Sequence, residues 1–217
     1  MATASTLRRL AVALAALAPL IAGCASPWPA PPKATLAPPI ALSGEQCLAD
    51  LDARGVGYRL SAIPVGSGPC SVDNPVQVIS AVVPWNQPAV MTCALADRVD
   101  RFLIEAAEPL ARHYLATDIA RLDHFGAYSC RPVEGMAGRW SEHASGRAID
   151  VSGFLMKDGE HVSVEHDWRA GGPRSEFLHA VAKRACDYFN LVLTPDSDKF
   201  HYNHFHLDIG RWRLCEA

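Results

Sequence analysis

Apolar residues recur along the chain at two periods. Leu95, Val99, Phe102, Leu103 and Ala106 share one face of a helix expected over residues 94–115, which Pro109 should kink or divide. Phe177, Leu178, Val181, Ala182, Ala185 and Phe189 form the stripe of a second helix over about 175–189. Residues 45–54 read as a short helix stopped by Gly55 and Gly57. Residues 58–63 and 76–83 read as strands on either side of a Gly/Pro/Cys turn at 66–75. Further strands are expected at 125–131, 191–193 and 204–207. No internal repeat or heptad is present. Short mixed strands with two or three helices predict an α+β domain, with a small mixed or antiparallel sheet and helices packed on it.

The N-terminus carries a different pattern. Arg8 and Arg9 precede an apolar stretch over 10–22, broken by Pro19. It is too short to span a membrane and has the order of a signal peptide. It ends Ile21-Ala22-Gly23-Cys24, which resembles a bacterial lipobox, so Cys24 is expected to become the lipidated first residue; ordinary secretion is the alternative. Ala25 follows, not an acidic residue, which in enteric-type sorting implies the outer membrane, facing the periplasm. Six prolines between Pro27 and Pro39 keep the next segment extended, as a tether. The expected organisation is a leader at 1–23, a lipidated cysteine and tether at 24–43, and one domain at 44–217.

Losing the leader leaves 194 residues and, without Arg8 and Arg9, moves the formal net charge from −3 to −5. That acidity argues against a nucleic-acid partner, and the length suffices for one sizeable core. Six cysteines besides Cys24 remain in an exported chain: Cys47, Cys70, Cys93, Cys130, Cys186 and Cys215. No C-x-x-C occurs, which excludes a zinc ribbon, and even parity predicts three disulfides. Pairing of neighbours in order (Cys47–Cys70, Cys93–Cys130, Cys186–Cys215) is the expectation among the fifteen possible pairings.

Two segments concentrate potential ligands: Ser141-Glu142-His143-Ala144-Ser145-Gly146-Arg147-Ala148-Ile149-Asp150, and His201-Tyr202-Asn203-His204-Phe205-His206-Leu207-Asp208. Strand alternation would put His204, His206 and Asp208 on one face and Phe205 and Leu207 on the other. The same rule groups Ala148, Asp150 and Ser152. Gly146 permits a turn that folds His143 back toward that strand. Two imidazoles and a carboxylate suit Zn²⁺, and three protein ligands leave a fourth position for water, whose pKa bound zinc lowers toward ~7. Each of these residues alone has a plainer role, as a surface histidine or a turn-capping aspartate.

The pattern Ser-x-His-x-x-Gly-x-Ala-x-Asp followed by His-x-His resembles the zinc peptidase superfamily of D-Ala-D-Ala dipeptidases and carboxypeptidases, penicillin-insensitive murein endopeptidases and the hedgehog signalling domain. Ser141, His143, Gly146, Ala148 and Asp150, then His204 and His206, fill it here. Tyr128-Ser129-Cys130-Arg131, Ala185-Cys186 and Cys215 look like the bacterial extensin-like C-terminal domain family, a resemblance covering most of 45–217. The resemblance implies zinc ligands at His143, Asp150 and His206, and a non-ligand His204 beside the metal. Dipeptidase and carboxypeptidase members place a catalytic Glu shortly before the last ligand, whereas residues 199–205 here hold no carboxylate. The murein endopeptidases show the His-x-x-His-x-His spacing that His201, His204 and His206 match, which implies a base at His204 or His201. Arg131 follows a Tyr-Ser-Cys segment where carboxypeptidases carry Ser-Gly-Tyr-Arg, and would bind a substrate carboxylate or an oxyanion.

The expectation is therefore a zinc metallopeptidase-like envelope lipoprotein acting on the stem or cross-link peptides of peptidoglycan. A non-catalytic, zinc-stabilised module binding a wall peptide or a protein is the second reading. A structural lipoprotein with a degenerate site is the third.

Overall fold

Among the described residues two sheets carry the architecture. In this computed structural model those residues are 1, 44–61, 68–136 and 138–217; the expected leader beyond Met1, Cys24, the tether and positions 62–63 of the first expected strand lie outside them. The smaller sheet is antiparallel, in the order β1 (Gly57–Leu60), β2 (Pro75–Ser80), β3 (Ala89–Thr92). The larger contains β4 (Ile119–Gly126), β5 (Ala148–Met156), β6 (His161–Ser163), β7 (Leu191–Leu193), β8 (Phe205–Asp208) and β9 (Leu214–Cys215). Its order is β4-β5-β8-β7-β9, with β6 also on β5, antiparallel except where β9 runs parallel to β7. One hydrophobic core includes residues of both sheets and of the helices, from Leu51 and Leu95 to Phe154, Phe177 and Leu207. This is an α+β fold, as the patterning predicts.

The helices depart from expectation in instructive ways. Helix α1 (Gly44–Ala53) matches the first. The helix expected over 94–115 is one run in three pieces: α2 (Cys93–Phe102), a π-helical turn (Leu103–Ala107) and α3 (Glu108–Leu115). Thr92 caps it, its side chain accepting from the Leu95 N–H. Pro109 has no N–H for the carbonyl of Glu105 and its ring crowds that carbonyl, so the wider turn just ahead of it absorbs the conflict. The short α4 (Val164–Asp167) has no counterpart in the sequence reading. Helix α5 (Gly172–Ala185) begins before Ser175, with Pro173 in its first turn where a missing N–H costs nothing, and ends before Phe189. Its Phe177 meets Phe154 of β5 edge-on, so α5 packs on the large sheet.

The strand expected at 125–131 is displaced: the strand is β4, residues 119–126. Arg121, Asp123 and His124 hide its alternation, because Asp123 and His124 are buried despite their polarity. Asp123 is held by Arg121 and by His161 of β6. Residues 127–131 instead form a connection tied by single bonds, Tyr128 N–H to Val90 O and Ser129 N–H to His143 O.

Three disulfides form, as parity predicts, but two of the expected pairs are wrong. The bridges are Cys47–Cys93, Cys70–Cys130 and Cys186–Cys215. Cys47 lies on α1, which packs against α2 and so meets Cys93 at its start. That leaves Cys70 for Cys130, where the Tyr128 hydroxyl also donates to the Cys70 carbonyl. Only the pair at the C-terminus is near in both chain and space, because β9 lies on β7. Replacing Cys70 and Cys130 together by Ser should cost about 2–4 kcal/mol, read from urea unfolding, because the bridge closes a 60-residue separation in the unfolded chain. Peptide mapping without reduction checks the pairing.

Candidate metal centre

Three short pieces of chain build the site. Asp150 of β5 and His206 of β8 are partners in the antiparallel register, so their side chains stand together on one face. On β8 the neighbours Phe205 and Leu207 are buried in the core, which turns His206 and Asp208 the other way. His143 arrives from a 3₁₀ turn (Glu142–Ser145) just ahead of β5. The Ser141 side chain caps that turn by accepting from the His143 N–H. Gly146 ends it with φ +64°, in the left-handed region. A Cβ there would lie 2.8 Å from Val72 Cγ1 and 3.2 Å from the Thr92 nitrogen, whose N–H donates to the Gly146 carbonyl. The Ser-x-His-x-x-Gly spacing thus encodes one cap, one ligand and one tight turn against β3.

His143 Nε2, His206 Nδ1 and Asp150 Oδ1 stand at the corners of a triangle with edges of 3.0, 3.1 and 3.1 Å. The outer nitrogen of each histidine is already committed. His143 Nδ1–H donates to the Ala127 carbonyl, and His206 Nε2–H donates to Asp208 Oδ2. A carbonyl and a carboxylate can only accept, so both inner nitrogens are left as lone pairs facing a carboxylate oxygen. Three converging lone pairs call for a cation, and this group could hold a metal ion. With protons alone in the site, burial opposes the charge on His206, but hydrogen bonds to Asp150 and Asp208 outweigh it and push the imidazole up to about 9. Burial also opposes charge on Asp150, yet its bonds from the two histidines hold it far below the usual carboxylate range.

The structure also brings the other predicted histidines here. His204 precedes β8 and is not in it, which corrects the expected strand start at 204. Its ring still turns inward, with Nε2 3.5 Å from Asp150 Oδ1 and Nδ1–H donating to Asn203 Oδ1. Burial pushes it down to about 4, against the pull of Asp150. His201 lies 5.1 Å from His204 and 5.7 Å from His206, ring centre to ring centre. Its Nδ1–H donates to Asp198. Arg131 is exposed and lines the cleft of about 1040 Å³ into which these groups open.

The sequence reading missed the partners that orient the ligands: Asp208, Asp198, and the Ala127 carbonyl. Asp208 was legible as a same-face neighbour of His206; the other two have no sequence signal. Asp208 is buried and also accepts from the Gly210 N–H. Asp208→Asn should lower divalent-metal affinity by about 10–100-fold, measured against a competing chelator. Wild-type affinity in that variant would remove Asp208 from the site.

Fold and site together define a disulfide-stapled α+β domain with a His–Asp–His group able to take a metal ion. The chain belongs to the family described as extensin-like protein C-terminus, whose sequence model matches residues 45–216. No curated protein and no solved structure matches the chain.

Proposed function

We propose that this domain is a zinc metallopeptidase-like hydrolase of the bacterial cell envelope, carried on lipidated Cys24 in the outer membrane and acting on stem or cross-link peptide bonds of peptidoglycan. The observation that carries the reading is the triangle of lone pairs on His143, Asp150 and His206, each histidine locked by an outer acceptor. Its edges fall within a few tenths of an ångström of the roughly 3.3 Å separation between ligands of a tetrahedral zinc. Bound zinc supplies a Lewis acid that polarises a carbonyl and acidifies a water.

The remaining chemistry belongs to the chain. His204, proton-free at neutral pH, presents its Nε2 lone pair beside Asp150 and accepts the proton of the attacking water. The Asn203 amide oxygen fixes that tautomer. His201, backed by Asp198, is placed to pass a proton to the leaving amine. Arg131 on the cleft wall meets a substrate carboxylate or the developing oxyanion.

Mass spectrometry of purified muropeptides incubated with the zinc-loaded protein tests this. New peptide termini are expected. Their absence across several muropeptides favours the second reading, a zinc-stabilised binding module, which draws on the lack of a carboxylate at 199–205.

A further inference from the structure

The proposed chemistry leaves one surface feature without a role. Among the described residues the strongly exposed aromatic rings are Phe125, Trp140, Phe200, Tyr202 and Trp212. Trp140, Phe200 and Trp212 line the cleft of the candidate metal centre. Phe125 stands edge-on to His204 at 5.8 Å, and Tyr202 lies in the turn between His201 and His204. Three of the five exposed aromatics therefore line one cleft, and they come from separate segments of the chain. Core packing explains none of them, and large apolar groups clustered in water mark a binding surface.

Charge is interleaved with these rings. The guanidinium groups of Arg139 and Arg211 lie 5.9 and 4.8 Å from the ring centre of Trp212, which stays half exposed. Arg131, Arg139 and Arg211 have no carboxylate partner among the described residues, in a chain of net charge −3. Protein interfaces deplete charge at their centres, whereas here exposed rings, arginines, Glu134 and Glu216 line the same cleft. A pyranose suits that mixed lining. Its C–H faces pack on the electron-rich face of an aromatic ring, and its hydroxyl edge needs donors and acceptors between the rings.

We propose that the cleft contains a saccharide subsite, in which sugar rings stack on Trp140 and Trp212 while Arg139 and Arg211 take a carboxylate carried by the glycan. The inference rests on the peptidoglycan-hydrolase reading and adds to its peptide substrate a neighbouring sugar already free of peptide, whose lactyl group ends in a carboxylate. Two parallel arginine contacts to one carboxylate would add charge-assisted hydrogen bonds that a neutral sugar cannot make.

The test uses the full chain and peptidoglycan glycan strands stripped of their peptides by an amidase, so that every lactyl group ends in a free carboxylate. Titration is followed by calorimetry and tryptophan fluorescence. Binding is expected, weakened at least about tenfold by Trp140→Ala or Trp212→Ala and largely recovered in the Trp→Phe variants. Chito-oligosaccharides of equal length should bind more weakly, and Arg139→Ala with Arg211→Ala should abolish the difference. Binding should survive removal of metal by a chelator, with circular dichroism confirming the fold of each protein. Equal affinity of both glycans for the wild type overturns the carboxylate assignment. No glycan binding, or binding indifferent to both tryptophans, overturns the subsite even if muropeptides are cleaved. Glycan binding without muropeptide cleavage leaves the subsite standing and removes the peptidase reading alone.

Discussion

The purified protein should hold about one zinc per chain, and His143→Ala, Asp150→Ala and His206→Ala should each abolish that binding. The three side chains supply all three corners of the ligand triangle, so losing one leaves two protein ligands for an ion that ordinarily takes three or four. The lone pairs are prepositioned by Ala127 and Asp208, so truncation also leaves an oriented partner with nothing to orient. Elemental analysis of purified residues 25–217 measures the stoichiometry. Retention of stoichiometric zinc in His206→Ala would falsify the ligand set. The pH dependence has a definite sign. Without metal, His206 holds its inner proton up to about pH 9, and zinc must displace it. Affinity should therefore rise by about tenfold per pH unit below that point and level off above it.

The second large effect is expected at His204. His204→Ala should keep zinc, because its ring stands outside the triangle, yet lose about 10²–10⁴-fold in turnover of cross-linked muropeptides. Burial holds this imidazole at about 4, so it is proton-free at neutral pH and able to accept from the attacking water. His201 lies further out, anchored by Asp198, and His201→Ala should have an equal or milder effect. Metal content measured on each variant separates loss of proton transfer from loss of the ion. Unchanged turnover in both variants would exclude histidine acid–base chemistry while leaving the zinc site intact.

The convergence of His143, Asp150 and His206 was legible because each belongs to a local pattern with a physical cause. Ser141 caps, His143 projects and Gly146 turns within six residues, and alternation on β8 separates His206 and Asp208 from the buried Phe205 and Leu207. Gly55 marked the end of α1, and periodicity revealed the apolar stripes of α2 and α5. It failed on β4, where Asp123 and His124 are buried through bonds to β6 and to the segment before β3. A polar residue satisfied by a distant partner looks, in one dimension, like a residue facing water.

What the chain determines by itself is set by neighbours within a turn or two: element type, cysteine parity, the turn that holds His143, and the faces of β8. What tertiary structure alone decided are relations between segments far apart in sequence. Docking of α1 on α2 chose Cys47–Cys93 over the neighbour pairing, and the β5–β8 register set Asp150 opposite His206. Folding also drew the exposed rings of Trp140, Phe200 and Trp212 to one cleft. Local patterns follow from backbone geometry, which repeats every two or 3.6 residues. Long-range pairings follow from which buried faces fit one another, and that information is spread over the whole core.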